Sequence, residues 1–225
     1  MHQVFKFGGA SIRNPAAIRQ MEGIIQEHKN EKGLIIVVSA MGKTTNALEK
    51  VHKLWTLKDH KAATDALQAI ISEHRQIISE LNVTETKRFD VFVHELSGIL
   101  DGSPRGNSNQ HYDHIVSYGE LFSSSLIHSY LKSVGHDCQW VDARNLIHTS
   151  GDHKEAVVHW DHTMEAIAGE FKTSNSMALT QGFIGSHHGV TTTLGREGSD
   201  YTAAIFACGV EALNVSIWKD VPGVM

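Results

Sequence analysis

Short apolar runs alternate with longer amphipathic stretches along most of this chain. Apolar runs at about 3–7, 33–39, 137–141, 176–181 and 214–218 predict strands. The second run is continuous and rich in β-branched residues, which is typical of a strand covered on both faces. Since helical stretches separate the strands, the pattern predicts an α/β sandwich with a largely parallel central sheet.

The amphipathic stretches predict the helices. The first begins at Asn14-Pro15, because asparagine is a good N-cap and proline suits the first helical turn. Residues 44–100 are helical in pattern, with polar outer positions and an apolar stripe. The segment 101–109 is expected to be a loop between helices rather than an interdomain linker. The other predicted helices cover about 120–134, 159–173 and 200–208.

Two glycine-bearing segments near opposite ends of the chain each read as a junction from strand through glycine to helix. Gly8-Gly9-Ala10-Ser11 comes directly after the first strand, and the segment from Thr191 to Asp200 leads into the last helix. In such junctions, backbone without side chains lets amide N–H groups converge on an anion, and the helix dipole adds partial positive charge. Two junctions of this kind suggest a polyphosphate ligand. Together with the loop after Ser39, they are expected to form one site at the carboxyl ends of parallel strands.

Charged residues lie in both junctions. Lys6 stands inside the first strand, where burial is costly unless the ammonium group meets an opposite charge. Arg196 offers a planar fork for a carboxylate, and Asp200 can organise cations. We interpret the set as a phosphoryl-transfer site with a small anionic acceptor. Each residue has a plainer alternative: a snorkelling lysine, a surface salt bridge from Arg196 to Glu197 or Asp200, and a helix N-terminal aspartate.

The bulk composition narrows the class of protein. A length of 225 residues with 41% hydrophobic content fits one sizeable domain, with or without a small lobe. The net charge of −5 comes without a basic stripe, so nucleic acid is not an expected partner. The longest apolar run, Leu34 to Val38, is too short to span a bilayer, and no leader-like segment precedes the first strand. We therefore expect a soluble, cytoplasmic protein without membrane association.

Neither the cysteines nor the histidines predict a metal site or a disulfide. Cys138 and Cys208 both lie in apolar runs and are expected to be buried thiols. The 16 histidines include pairs spaced by three residues, such as His111 with His114, but no zinc-binding arrangement. No metal-ligating residue is predicted.

A P-loop is excluded by one position. Gly42-Lys43-Thr44 imitates the end of that motif, but Val37 stands where its first glycine is required. The glycine junctions are therefore of another kind.

Six blocks of the sequence, in the right order, resemble those of the aspartate kinases. Any one block alone would be a weak signal, whereas six in order are a strong one, and together they reach from one end of the chain to the other. The blocks are Lys6–Ser11, Ser39–Asn46, Ser117–Leu121, Gln181–Gly185, Thr191–Ala204 and Trp218–Val224.

This resemblance implies an amino acid kinase-like three-layer sandwich with helices on both faces of the sheet. It implies ATP-dependent phosphorylation of the β-carboxylate of L-aspartate to 4-phospho-L-aspartate, the first step of lysine, threonine and methionine biosynthesis. ATP and Mg²⁺ are the implied cofactors, with magnesium bridging the donor phosphates. L-aspartate is the implied substrate, and the full-length protein is expected to be a homo-oligomer.

The resemblance also assigns residue roles. Lys6 and Asp200 are the implied catalytic residues. The implied contacts to aspartate come from Ser39, Thr45, Glu120, Arg196 and Ser199. The implied contacts to ATP come from Lys6, Gly8, Gly9, Ala10, Ser11, Lys219 and Asp220. On the residues alone, the serines and threonine are equally credible caps or turns, Glu120 a helix first-turn glutamate, and Lys219-Asp220 a solvated strand end.

Some features depart from the family pattern. Ala10 and Glu197 stand where threonine and glycine are commoner, and neither is expected to alter the chemistry. The chain ends soon after Lys219, where family members continue with the rest of the nucleotide pocket and usually ACT domains. We therefore expect residues 1–225 to be a kinase domain incomplete at its nucleotide-binding end, without an ACT domain. The alternatives are another amino acid kinase, such as a glutamate kinase, and a non-catalytic amino-acid-binding or regulatory module.

Overall fold

The computed structural model describes residues 2–28, 33–172 and 176–219. Its centre is a five-stranded sheet in the order β3-β4-β2-β1-β7, and each neighbouring pair is parallel. This confirms the α/β class and the parallel sheet. The strands are, in chain order, β1 Gln3–Phe7, β2 Leu34–Val38, β3 Cys138–Val141, β4 Met177–Gln181, β5 Ile184–His187, β6 Val190–Thr193 and β7 Asn214–Trp218.

β2 lies at the middle of the sheet and is buried at every position, as its unbroken apolar sequence predicted. β1 lies beside it, with Lys6 in register with Val37 of β2 on one side and Ile217 of β7 on the other. Because β1 and β2 are parallel, the loops that follow them leave the sheet at the same edge. The fold thus brings the first glycine junction next to the loop after Ser39.

Helices cover the sheet. They are α1 Pro15–Glu27, α2 Thr44–Thr56, α3 His60–Glu80, α4 Lys87–Asp101, α5 Ser108–Val116, α6 Tyr118–Ser133, α7 Trp160–Phe171 and α8 Gly198–Gly209. The side chain of Asn14 caps α1 by accepting from the Ala17 amide at 2.9 Å, as predicted. α6 packs against β2, β3 and β4, whereas α8 packs against β1, β2 and β7.

The helical region 44–100 divides into three helices. Left-handed residues end the first two segments, Lys58 with φ 62° after α2 and Asn82 with φ 55° after α3. The apolar stripe predicted for this region is buried in the core, from Leu67 in α3 to Leu81 at its end.

The structure contains a second, antiparallel two-stranded sheet, β5–β6, whose hairpin was not predicted. Its turn is His188-Gly189, with φ 49° and 80°, as a tight hairpin requires. Histidine is an unusual residue there, so the turn lacks its usual sequence signal. α5 was missed too, because its first residues follow a glycine- and asparagine-rich loop.

One expectation about the thiols is wrong. Cys138 is buried, but Cys208 is exposed. It belongs to α8, whose other side supplies the buried Ile205 and Phe206, so the helix places Cys208 toward solvent. In the described part of the chain, none of the helices has the length and apolar character needed to cross a membrane.

Candidate active site

The loops after β1 and β2, the N-terminus of α6 and the first turn of α8 enclose a cleft of about 380 Å³. Most of the predicted site residues line it. They are Lys6, Gly8, Gly9, Ala10, Ser11, Ser39, Thr45, Glu120, Ser199, Asp200 and Lys219. Residues that are almost two hundred positions apart in sequence therefore meet in one place.

An ion pair joins the two glycine junctions. The Lys6 ammonium lies 2.5 Å from Oδ1 of Asp200, and that of Lys219 lies 3.2 Å from Oδ2. Lys6 is nearly buried, so Asp200 meets the charge that burial in β1 would otherwise leave unpaired. Partial burial tends to raise the pKa of Asp200, but the two lysines outweigh it and hold the pKa below its ordinary value. Asp200 is therefore ionised at neutral pH.

The pKa of Glu120, unlike that of Asp200, is raised. Glu120 lies in the first turn of α6 and is fully buried. Its Oε1 accepts a hydrogen bond from the Ala40 amide at 3.2 Å, whereas its Oε2 has no hydrogen-bond partner among the described residues. Loss of hydration raises the pKa of this carboxyl to about 8, although the Ala40 amide and the charge of Lys6 oppose the rise. An unpartnered buried carboxyl oxygen at a cleft is a ready acceptor for a cationic ligand group.

Serine hydroxyl groups tie the β2 loop to α8 and to α6. Ser199 Oγ donates to Ser39 Oγ at 3.1 Å, and Ser123 Oγ donates to the Ser39 carbonyl at 2.7 Å. The close approach of Ser199 depends on Gly182, because a Cβ at position 182 would collide with the Ser199 side chain. These contacts fix the position of both hydroxyl groups at the wall of the cleft.

The glycine loop after β1 is anchored by its own backbone. Gly8 N–H donates to the Trp218 carbonyl at 3.3 Å, and the same carbonyl accepts from Ser11 Oγ at 3.2 Å. Ser11 N–H donates to the Gly8 carbonyl at 2.9 Å. The Gly9 and Ala10 amides stand at the start of the 3-10 turn Gly9–Ile12, where backbone N–H groups have no partner within the turn. The loop thus offers fewer donors than its sequence suggested.

Arg196 differs from the other predicted residues. It is exposed, does not line the cleft, and makes no ion pair within the described ranges 2–28, 33–172 and 176–219. It belongs to the turn before α8, in which Glu197 adopts a left-handed conformation with φ 56°. The predicted nucleotide contact of Asp220 lies outside the described residues.

Four further residues line the cleft that sequence reasoning did not assign: Phe183, Gly195, Glu197 and Gly198. Phe183 has a left-handed backbone with φ 68°. Its N–H donates to Thr202 Oγ1 at 2.9 Å, which holds the backbone in place. A Cβ at Gly198 would collide with the Phe183 ring. The only signal for Phe183 was its place within the block Gln181–Gly185.

Comparison with known proteins gives a consistent result. The model of the amino acid kinase family matches residues 1–225. Lysine-sensitive aspartokinase 3 of Escherichia coli is 30% identical over 98% of this chain, and aspartokinase 2 (chloroplastic) of Arabidopsis thaliana is 30% identical over 99%. The chain spans 49% of the length of the first relative and 42% of the second.

Solved structures agree. E. coli aspartokinase III in complex with aspartate and ADP superposes with a TM-score of 0.88 at 31% identity, covering 99% of this chain and 50% of that one. The aspartate kinase of Clostridium acetobutylicum gives a TM-score of 0.80 at 25% identity, over 99% of this chain and 48% of that one.

Gly9 should tolerate no side chain. In Gly9→Ala, the new Cβ would overlap the Ala40 carbonyl oxygen, which belongs to the backbone and cannot rotate away. We expect a loss of about 1–3 kcal/mol in the free energy of unfolding, measured by urea denaturation. Gly23→Ala in α1 is the matched control: its Cβ meets nothing, so a gain of about 1 kcal/mol is expected. Equal stability of Gly9→Ala and the wild type would contradict the packing described.

Glu120 should make stability depend on pH. The folded protein keeps its proton up to about pH 8, whereas the unfolded chain releases it near 4.5, so folding takes up a proton between these values. The contribution of protonated Glu120 is therefore full below pH 4.5 and is lost as the pH rises through 8. We expect the stability difference between wild type and Glu120→Gln to shift in favour of the variant over that range, in urea denaturation at several pH values. Glu73→Gln, at an exposed position, should show no such trend, and a flat difference for Glu120→Gln would refute the assignment.

Proposed function

Because the chain belongs to the amino acid kinase family, we propose that it carries the catalytic site of an aspartate kinase. The reaction is transfer of the γ-phosphoryl group of ATP to the β-carboxylate of L-aspartate, which gives 4-phospho-L-aspartate and ADP. In this proposal the protein performs the first step of lysine, threonine and methionine biosynthesis. The relatives named as aspartokinases, one of them solved with aspartate and ADP, support the choice of substrates.

The observation that carries the proposal is the Lys6–Asp200 contact of 2.5 Å. This contact holds the glycine loop after β1 close to the N-terminus of α8. A nucleotide phosphate and a small acceptor can therefore bind in the same cleft. A lysine held in place by a carboxylate is pre-organised to follow negative charge as it develops on the transferred phosphoryl group. Asp200 in this scheme orients Lys6 and also Lys219.

The acceptor carboxylate needs no general base, because it is already ionised at neutral pH. What remains is positioning and charge neutralisation. Glu120 is the proposed partner of the substrate ammonium group, since its Oε2 is buried and unpartnered. Arg196 is the proposed partner of the α-carboxylate; being exposed beside the cleft, it would have to turn inward when aspartate binds. Ser39, Thr45 and Ser199 supply hydroxyl groups between these two ends.

ATP is proposed to lie with its phosphates against the Gly9 and Ala10 amides and the ammonium groups of Lys6 and Lys219. Mg²⁺ commonly enters such sites bound to substrate phosphates with few protein ligands. The residues fit that mode: Asp200 is already paired with two lysines, and no group of three or more metal-binding side chains occurs in the part of the chain that the structure describes. Bound there, the ion would neutralise charge on the donor phosphates.

Lys6 and Arg196 should both be needed for turnover. With the whole gene product that contains these residues, hydroxylamine trapping of the acyl phosphate should fall by about 10²–10³-fold in Lys6→Met, since a pre-organised cation at the transferred group is lost. Arg196→Ala should raise KM for aspartate by about 10-fold or more through the loss of a charged hydrogen bond. Lys61→Met, whose exposed side chain pairs with Asp65 outside the cleft, serves as the control. Undiminished trapping in both site variants would remove the proposal.

Aspartate binding should release a proton near pH 7. Glu120 is protonated there, and the arriving ammonium group stabilises its charged form, so its pKa falls from about 8 when the substrate binds. Affinity for aspartate should therefore increase as the pH rises toward 8. Calorimetry at pH 7 in buffers of different ionisation enthalpy measures the released proton directly. The release should disappear in Glu120→Gln and persist in Glu73→Gln; binding without proton release in the wild type would exclude this role.

A further inference from the structure

We propose that Asp113 is a positioning residue that sets the distance between Glu120 and the turn containing Arg196, and so governs recognition of the amino acid substrate. The inference rests on the proposed function for its consequence in catalysis. Its structural content, a single carboxylate that holds two walls of the substrate site, stands on contacts alone. Asp113 does not line the cleft and is not a catalytic residue.

Asp113 is completely buried and its carboxylate accepts from three neighbours. Thr193 Oγ1 donates to Oδ1 at 2.6 Å, and the Lys154 amide lies 3.0 Å from both oxygens. The His153 ring approaches through Nδ1, 2.8 Å from Oδ2. A buried carboxylate is costly unless such donors surround it, so its position is strongly determined by them.

Through Thr193, the carboxylate holds the turn before α8. Thr193 ends β6, only three residues before Arg196, and its carbonyl accepts from the Ala156 amide at 3.0 Å. The next residues of the turn pack on the same segment: a Cβ at Gly195 would lie 3.1 Å from Glu155 Cγ. Asp113 therefore fixes both β6 and the strip 153–156 against which the turn rests.

Through its backbone, Asp113 is tied to Glu120. It lies in α5, and its carbonyl accepts from the Ser117 amide at 3.1 Å, where α5 ends and α6 begins. Ser117 in turn accepts from the Glu120 amide at 3.2 Å. Both segments are helical, so the path from the Asp113 carboxylate to the Glu120 carboxyl contains no flexible loop. Asp113 thus links the two sites, the proposed ammonium site through its backbone and the proposed carboxylate site through its side chain.

A positioning role and a purely structural role make different predictions. If Asp113 only stabilised the fold, its loss would lower the melting temperature without favouring one substrate. If it sets the turn, its loss should loosen residues 194–197, which precede α8, and weaken aspartate recognition. The ATP side, built on the β1 loop and on Asp200 inside α8, should stay intact.

The first test is amide hydrogen exchange over residues 194–197, the turn before α8, in Asp113→Asn and Thr193→Val. Asparagine cannot accept through its nitrogen, and valine removes only the donating hydroxyl group; the second variant keeps the test informative if the first does not fold. We expect exchange in the turn to accelerate about 10-fold or more, the factor that loss of a charged hydrogen bond gives. Asp90→Asn, which removes a carboxylate bonded to Arg75 and Thr86, should leave the turn unchanged. Unchanged exchange in both site variants would overturn the proposal.

The second test is the kinetics of the whole gene product. In both variants KM for aspartate should rise about 10-fold, whereas KM for ATP should stay within about twofold of the wild type. Thr193→Ser should keep the wild-type KM for aspartate, because serine retains the hydroxyl donor. Equal increases of both KM values, or a lower melting temperature alone, would overturn the positioning role. Absence of aspartate-dependent turnover in the wild type would instead refute the proposed function, and the exchange measurement would still decide whether Asp113 holds the turn.

Discussion

The ion pair between Lys6 and Asp200 is the interaction on which the site depends. It joins a residue of the first strand to a residue of the last helix. Each of the two charged side chains gives the other a counter-charge. Lys6 lies between two strands with little access to water, so its ammonium group needs a counter-charge. Asp200 lies in the first turn of α8, where the helix dipole stabilises a negative charge. The need to pair these charges places β1, β7 and α8 in one arrangement.

The parallel sheet explains why the remaining groups gather around that pair. Neighbouring parallel strands send their following loops out at the same edge, so the loops after β1 and β2 meet without any long connection. Glycine then decides how close they come: Gly9 approaches the Ala40 carbonyl, and Gly182 approaches Ser199, at distances that no side chain would allow. The cleft is therefore a product of strand order and of a few positions without Cβ atoms.

Much of this could be predicted from local patterns. The unbroken run of β2, the asparagine cap of α1 and the strand bounds of β1 and β7 each follow from short stretches of sequence, and the structure confirms them. What was missed has no clear signal in the local sequence pattern. The β5–β6 hairpin turns on a histidine with positive φ, Cys208 is exposed because of the side of α8 on which it falls, and the contacts of Asp113 come from residues forty or more positions away. The assigned roles of the site residues remain predictions.

The grouping of Lys6 and Lys219 around Asp200 leaves two positive charges facing one negative charge. Glu120 is protonated at neutral pH, and Glu197, which also lines the cleft, forms no ion pair with either lysine among the described residues, so the field beside the two ammonium groups stays positive. Such a field attracts inorganic phosphate and sulfate as well as a nucleotide. At long range this attraction depends on the charge of the anion and not on its shape. Discrimination among anions must consequently be a short-range property, settled by which molecule fits the rigid walls after it has arrived.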